Sequence, residues 1–114
     1  MKTKKAKLRS KADVLWHNKL LKENCELCGV TYGLQVHHFF YKGSHAFLRY
    51  NLDNGITLCS REHFVLHHRD PKLITDKIIE IRGQEWYNKL KEQAKNSPKS
   101  FQTIKYYTDL IESL

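Results

Sequence analysis

The sequence predicts an α+β fold: a small two-stranded unit held by metal-binding cysteines, with helices before and after it. Three observations predict it. Cys25 and Cys28 are separated by two residues and followed by Gly29, and a third cysteine, Cys59, stands downstream. Residues 34–37 alternate apolar and polar, and residues 56–58 form a short run ending at Cys59, so both read as strands. Beyond Pro71 the apolar residues recur at helical spacing. A chain of 114 residues is expected to form one domain around one core.

In chain order, Ser10 and Asp13 make a capping box and predict a helix carrying Val14, Leu15, Trp16, Leu20 and Leu21 that stops near Asn24. Cys25-Glu-Leu-Cys-Gly29 reads as a zinc knuckle, a tight turn that brings two thiolates onto one ion. Residues 41–54 contain Gly43 and little periodicity, which predicts a loop. A helix is predicted over residues 60–68. Leu73 to Ile81, Trp86 to Ala94 and Phe101 to Ile111 predict three more helices, broken at Gly83 and at Ser97-Pro98, with their aromatics in the core. There is no internal repeat.

Hydrophobic residues at 40% and charged residues at 28% exclude a wholly disordered or fibrous chain. The net charge of +8 is unevenly placed, since Lys2, Lys4, Lys5, Lys7, Arg9 and Lys11 crowd the first eleven residues without an acid. Residues 1–11 are therefore expected to be a flexible basic arm that attracts a polyanion by counterion release. No apolar run approaches the roughly 20 residues that span a bilayer, and the lysine-rich start lacks the apolar core of a signal peptide. The expected setting is the cytoplasm, without a membrane partner.

Three cysteines suit disulfides poorly and a metal well. Six of the seven histidines, His37, His38, His45, His63, His67 and His68, fall within 32 residues that also contain Cys59. Structural zinc takes four donors in a tetrahedron, and Cys25, Cys28 and Cys59 supply three. The fourth is expected on the first turn of the following helix, where Glu62 and His63 stand. His63 is preferred, because imidazole completes a Cys₃His site while carboxylates are uncommon in structural zinc.

Cys25-x-x-Cys28, Leu34-Gln35-Val36-His37-His38, Leu52-Asp53-Asn54-Gly55-Ile56-Thr57-Leu58-Cys59 and the His-rich helix together resemble an HNH endonuclease over residues 25–71. The chain looks most like the small HNH proteins of phages and prophages, to which residues 63–71 and the Gly83…Trp86-Tyr87 stretch are similar. The resemblance implies a treble-clef-like ββα-metal core, with residues 12–114 forming one nuclease domain whose residues 72–114 are a helical extension. It implies that His37 ligates a catalytic divalent ion, Mg²⁺ or Mn²⁺, that His38 is the general base, and that Asn54 is the central Asn holding the base or its loop; Asn51 is the less favoured substitute. An imidazole titrates near the pH at which a water must be deprotonated, which suits that pair to phosphodiester hydrolysis.

The family usually has a cysteine where this chain has Glu62. One register makes His63 and His67 the ligands of the catalytic ion. The other, preferred here, inserts a residue, assigns His63 to zinc and His68 to the catalytic ion, and leaves His67 as an extra donor. DNA is the implied partner, with Arg49, Lys4, Lys5, Lys7 and Arg9 as phosphate contacts and Lys42 as a weaker one; His17 and His45 are expected at the surface. The implied protein is a monomer or weak dimer in the host cytoplasm, acting on DNA in phage genome processing, packaging or recombination. The alternative is a non-catalytic zinc module that binds nucleic acid.

Overall fold

The computed structural model describes residues 2–114, and its architecture is α+β. Among the described residues five α-helices, α1 (Lys4–Leu20), α2 (Ser60–His68), α3 (Pro71–Arg82), α4 (Gln84–Lys95) and α5 (Ile104–Ser113), surround the antiparallel pair β1 (Leu34–His38) and β2 (Gly55–Cys59). Both strands and the helices after Pro71 lie where the spacing predicts them. No helix among the described residues is long and apolar enough to cross a membrane.

The start of the chain differs from expectation. Residues 4–11 are not a flexible arm but the first half of α1, and the helix is capped by Thr3, whose hydroxyl accepts the Ala6 N–H at 3.1 Å. Ser10 and Asp13 therefore lie inside a continuous helix. Ala, Leu, Lys and Arg are good helix formers, and no Gly or Pro interrupts them, so the basic run adds turns once Leu8 and Ala12 have a surface to pack on. That surface is α5, through Tyr106, Tyr107, Leu110 and Ile111. The helix also stops earlier than Asn24, because the chain leaves it at Leu21 in an extended conformation. The next backbone N–H, of Lys22, donates to Thr57 Oγ1 at 3.1 Å.

The hairpin register sets Leu34 opposite Cys59, Val36 opposite Thr57, and His38 opposite Gly55. All five residues of β2 are buried, so the strand is covered on both faces. On one side Ile56 and Leu58 pack with Cys25, Cys59, Ile74 and Ile78. On the other, Val36 packs with Ala12, Trp16, Tyr50 and Tyr107.

The turn at residues 25–29 is closed by its own backbone. Gly29 lies at φ +80°, a conformation that side-chain-bearing residues rarely adopt, and its N–H closes the turn on the Cys25 carbonyl at 2.9 Å. Glu26, between the cysteines, accepts the Thr57 N–H at 2.7 Å, two bonds from the Arg82 guanidinium at 3.0 Å each, and one from Lys22 at 3.0 Å. Burial alone would raise its pKa, but these donors hold the carboxylate below the usual range. One carboxylate thus ties the knuckle to β2 and to α3.

Candidate active site and metal centres

Cys25, Cys28 and Cys59 converge, with their sulfurs all within 4.8 Å of one another and the Cys28 and Cys59 sulfurs 3.5 Å apart. Zn–S bonds of about 2.3 Å in a tetrahedron separate sulfurs by about 3.8 Å, so the three thiols can hold one metal ion. Burial works against ionising Cys25, yet hydrogen bonds from the backbone at Cys28, Cys59 and Leu27 bring its thiol below the ordinary value. The Cys28 thiol goes the other way: the backbone at Val30 lowers it, but burial and the neighbouring Cys25 and Cys59 sulfurs raise it above the ordinary value. Among the described residues no fourth Cys, His, Asp or Glu donor joins them at that separation. Glu62 is buried, and its carboxylate lies 3.5 Å from Arg61.

His63 is not part of that group, which corrects the preferred register. Its donor atom lies with those of His37 and His67, all within 4.8 Å of one another. The physical reason is the phase of α2: Cys59 is extended at φ −80° and ψ 168°, so helical rotation begins only at Ser60. His63 then faces β1, its ring stacked on His37 with centroids 4.1 Å apart, and His67 follows one turn later on the same face. His68 is a further 100° around the helix, exposed, with its ring beside Phe64 at 5.0 Å. His68 is not in the group with His37; His67 is, and His63 stands with the two imidazoles and not with the thiols.

His37 carries the strongest local sign of a ligand. Its Nε2 is buried and has no hydrogen-bond partner among the described residues, while burial first, and then the neighbouring histidines, push its pKa down to about 4. A neutral imidazole with an unspent lone pair beside two others fits a divalent ion.

His38, next along β1, turns to the opposite face. Its ring lies on Trp16, with centroids 4.2 Å apart and planes 7° apart, and its Nε2 is 2.9 Å from the Arg49 carbonyl. A carbonyl only accepts, so Nε2 bears the proton and Nδ1 keeps a free lone pair. Asn54 is fully buried and makes no hydrogen bond to His38; its Oδ1 accepts the Phe40 N–H at 2.7 Å and its Nδ2 donates to the Phe40 and Leu48 carbonyls at 3.1 Å each. It fastens both ends of the loop between the strands.

Arg49 is not a free phosphate contact. Its guanidinium donates two hydrogen bonds to the Asp13 carboxylate, at 2.9 and 2.7 Å, and the side chain is mostly covered. Lys42, the weaker candidate, lines a cleft of about 340 Å³ whose walls include His37, His38 and His67. Lys4, Lys5, Lys7 and Arg9 are all exposed on α1.

The far wall of that cleft comes from α1, which residue patterns left out of the site. Asp13, Trp16 and His17 line it. His17, expected at the surface, accepts the Val36 N–H on Nε2 at 3.3 Å. The available signal was the i, i+3, i+4 spacing of these residues, which puts them on one helical face but says nothing of what the face meets. His45 bonds Ser44 at 3.1 Å outside the histidine triangle. Set beside protein-family models, curated proteins and solved structures, the chain matches none of them.

Proposed function

We propose that this protein is a metal-dependent endonuclease of the HNH type that hydrolyses DNA phosphodiester bonds, with β1, β2 and α2 as its ββα-metal core. The observation that carries the proposal is the division of labour along β1. His37 brings an unpartnered nitrogen to His63 and His67, and the adjacent His38 is held with Nδ1 free in the same cleft.

In this reading His37, His63 and His67 hold the catalytic Mg²⁺ or Mn²⁺, and Cys25, Cys28 and Cys59 hold structural zinc. Held there, a divalent ion would supply charge neutralisation for the phosphate and the departing 3′ oxygen. His38 Nδ1 takes a proton from a water as that water's oxygen bonds to phosphorus and the P–O3′ bond breaks, the 3′ oxygen taking a proton from solvent. Asn54 acts on the loop and not on the proton. The exposed lysines of α1 attract the duplex, and Lys42 meets a phosphate at the cleft. Phage genome processing or recombination is the setting that such an activity serves.

Supercoiled plasmid with Mg²⁺ or Mn²⁺ tests the proposal, beside a His38→Ala protein. The native protein is expected to nick or linearise the plasmid, and His38→Ala to lose on the order of a hundredfold or more in rate. Equal cleavage by both would remove His38 as the base, whereas no cleavage by the native protein would leave a zinc module that binds nucleic acid.

A further inference from the structure

We propose that α1 is the positioning element of the base: Trp16 and the Asp13–Arg49 ion pair fix the orientation and tautomer of the His38 imidazole without touching substrate. The inference rests on the reading of His38 as the base, and extends it to residues outside the hairpin.

An imidazole at the end of a strand can rotate about its ring axis and tilt from its plane. Each freedom is removed by a different contact here. The Trp16 face, 4.2 Å from the His38 ring and 7° from parallel, prevents tilting but would permit a half-turn. The Arg49 carbonyl, 2.9 Å from Nε2, prevents the half-turn, since a flipped ring would present a carbon to it. Together they leave one orientation, with Nδ1 as the free nitrogen.

Both contacts are anchored by α1. Trp16 is 2% exposed and donates from Nε1 to the Asn51 carbonyl at 3.1 Å. Gly55, opposite His38 in the register, lets the indole close on the hairpin: a Cβ there would stand 3.0 Å from Trp16 Cζ2 and 2.6 Å from Leu20 Cδ1. The Arg49 carbonyl belongs to a segment just past a 3₁₀ turn (Ala46–Leu48), outside the β1–β2 pairing. It is held by its own turn, with the Arg49 N–H on the Ala46 carbonyl at 3.2 Å, by Asn54 on the Leu48 carbonyl, and by the pair of bonds from the Arg49 guanidinium to Asp13 that ties the segment to α1. Asp13 and Trp16 are three residues apart on α1 and so act from one face of it.

The test uses the full zinc-loaded chain with Asp13→Asn, Arg49→Lys, Trp16→Leu and Trp16→Phe, and Asp76→Asn as a control that breaks an exposed ion pair on α3. Thermal melts confirm folding, long-range ¹H–¹⁵N spectra read the His38 tautomer at fixed pH, and plasmid nicking gives kcat and KM. The native protein is expected to show Nε2–H alone. Asp13→Asn and Trp16→Leu are expected to show mixed tautomers and a kcat lower by roughly ten- to a hundredfold, with KM within about twofold. Trp16→Phe, which keeps a ring face, is expected to recover most of the loss. Folded Asp13→Asn and Trp16→Leu proteins with Nε2–H alone and native kcat would overturn the proposal. Arg49→Lys replaces Asp13→Asn if the latter fails to fold, and Trp16→Phe, with a partial loss expected, replaces Trp16→Leu. If no protein cleaves DNA, the nuclease reading fails and the spectra alone decide: mixed tautomers sustain the positioning role, and an unchanged single tautomer ends it.

Discussion

The three thiols and the three imidazoles are served by the same hairpin, yet they are built differently. Cys25 and Cys59 are buried at 3% exposure, the sulfurs are drawn together by a closed backbone turn, and Glu26 bolts that turn to β2 and α3. The histidines meet at the edge of an open cleft, with His67 exposed and His37 keeping an unpartnered nitrogen. In the proposed reading, a closed set of soft donors would serve the fold, and an open set of nitrogen donors would leave room for a substrate oxygen. The two clusters are therefore expected to fail in different ways when broken.

The largest effect is expected from Cys59→Ser. Structural zinc contributes on the order of 10 kcal/mol, as large as the whole net stability of a domain, and two thiols would hold it far more weakly than three. The variant is expected to lose its cooperative melt together with its zinc, measured by circular dichroism and metal analysis. A native-like melt would mean that the thiols do not hold the fold together.

His63→Ala and His67→Ala are expected to leave that melt within a few degrees, keep about one zinc per chain and lose on the order of a hundredfold or more in plasmid cleavage. His68→Ala, changed on the exposed side of α2, is expected to behave as the native protein does. Loss of zinc from His63→Ala would return that residue to the thiols and dissolve the contrast between the clusters.

Glu26→Gln sharpens the comparison from the structural side. The amide keeps the shape but leaves Arg82 half-paired at a mostly covered site, which is expected to cost about 2 kcal/mol in denaturant melts. The kcat of the folded protein should not move. A fall in kcat at saturating DNA would show that the thiol side communicates with the cleft.

The smallest effect belongs to the exposed charges of α1. Replacing Lys5 and Arg9 with Gln is expected to flatten the salt dependence of DNA binding by up to about 2 in the log–log slope, with kcat at saturation unchanged. An unaltered slope would place the duplex away from this helix.

Much of the site was legible because metal chemistry restricts residue type and spacing. Cys25-x-x-Cys28, the third thiol at Cys59 and the histidine cluster announce donors whatever surrounds them. Phase was harder to read. Whether His63 faces the thiols or His37 depends on one extended residue, Cys59, ahead of α2, and a sequence does not display where helical rotation begins. The basic start illustrates a different limit: Lys4 to Lys11 reads as a solvated arm until α5, nearly a hundred residues away, supplies Tyr106 and Tyr107 as a surface for Leu8 and Ala12.

By itself the sequence determined the α+β class, the two strands, the breaks at Gly83 and Ser97-Pro98 and the identity of the donor atoms, all of which follow from local spacing and side-chain chemistry. Only the tertiary structure decided that His63 and His67 join His37, that Arg49 is committed to Asp13, and that Trp16 lies on His38. Each of these pairs residues from separate elements, and such contacts are set by how amphipathic faces dock across the hairpin, which no local pattern contains.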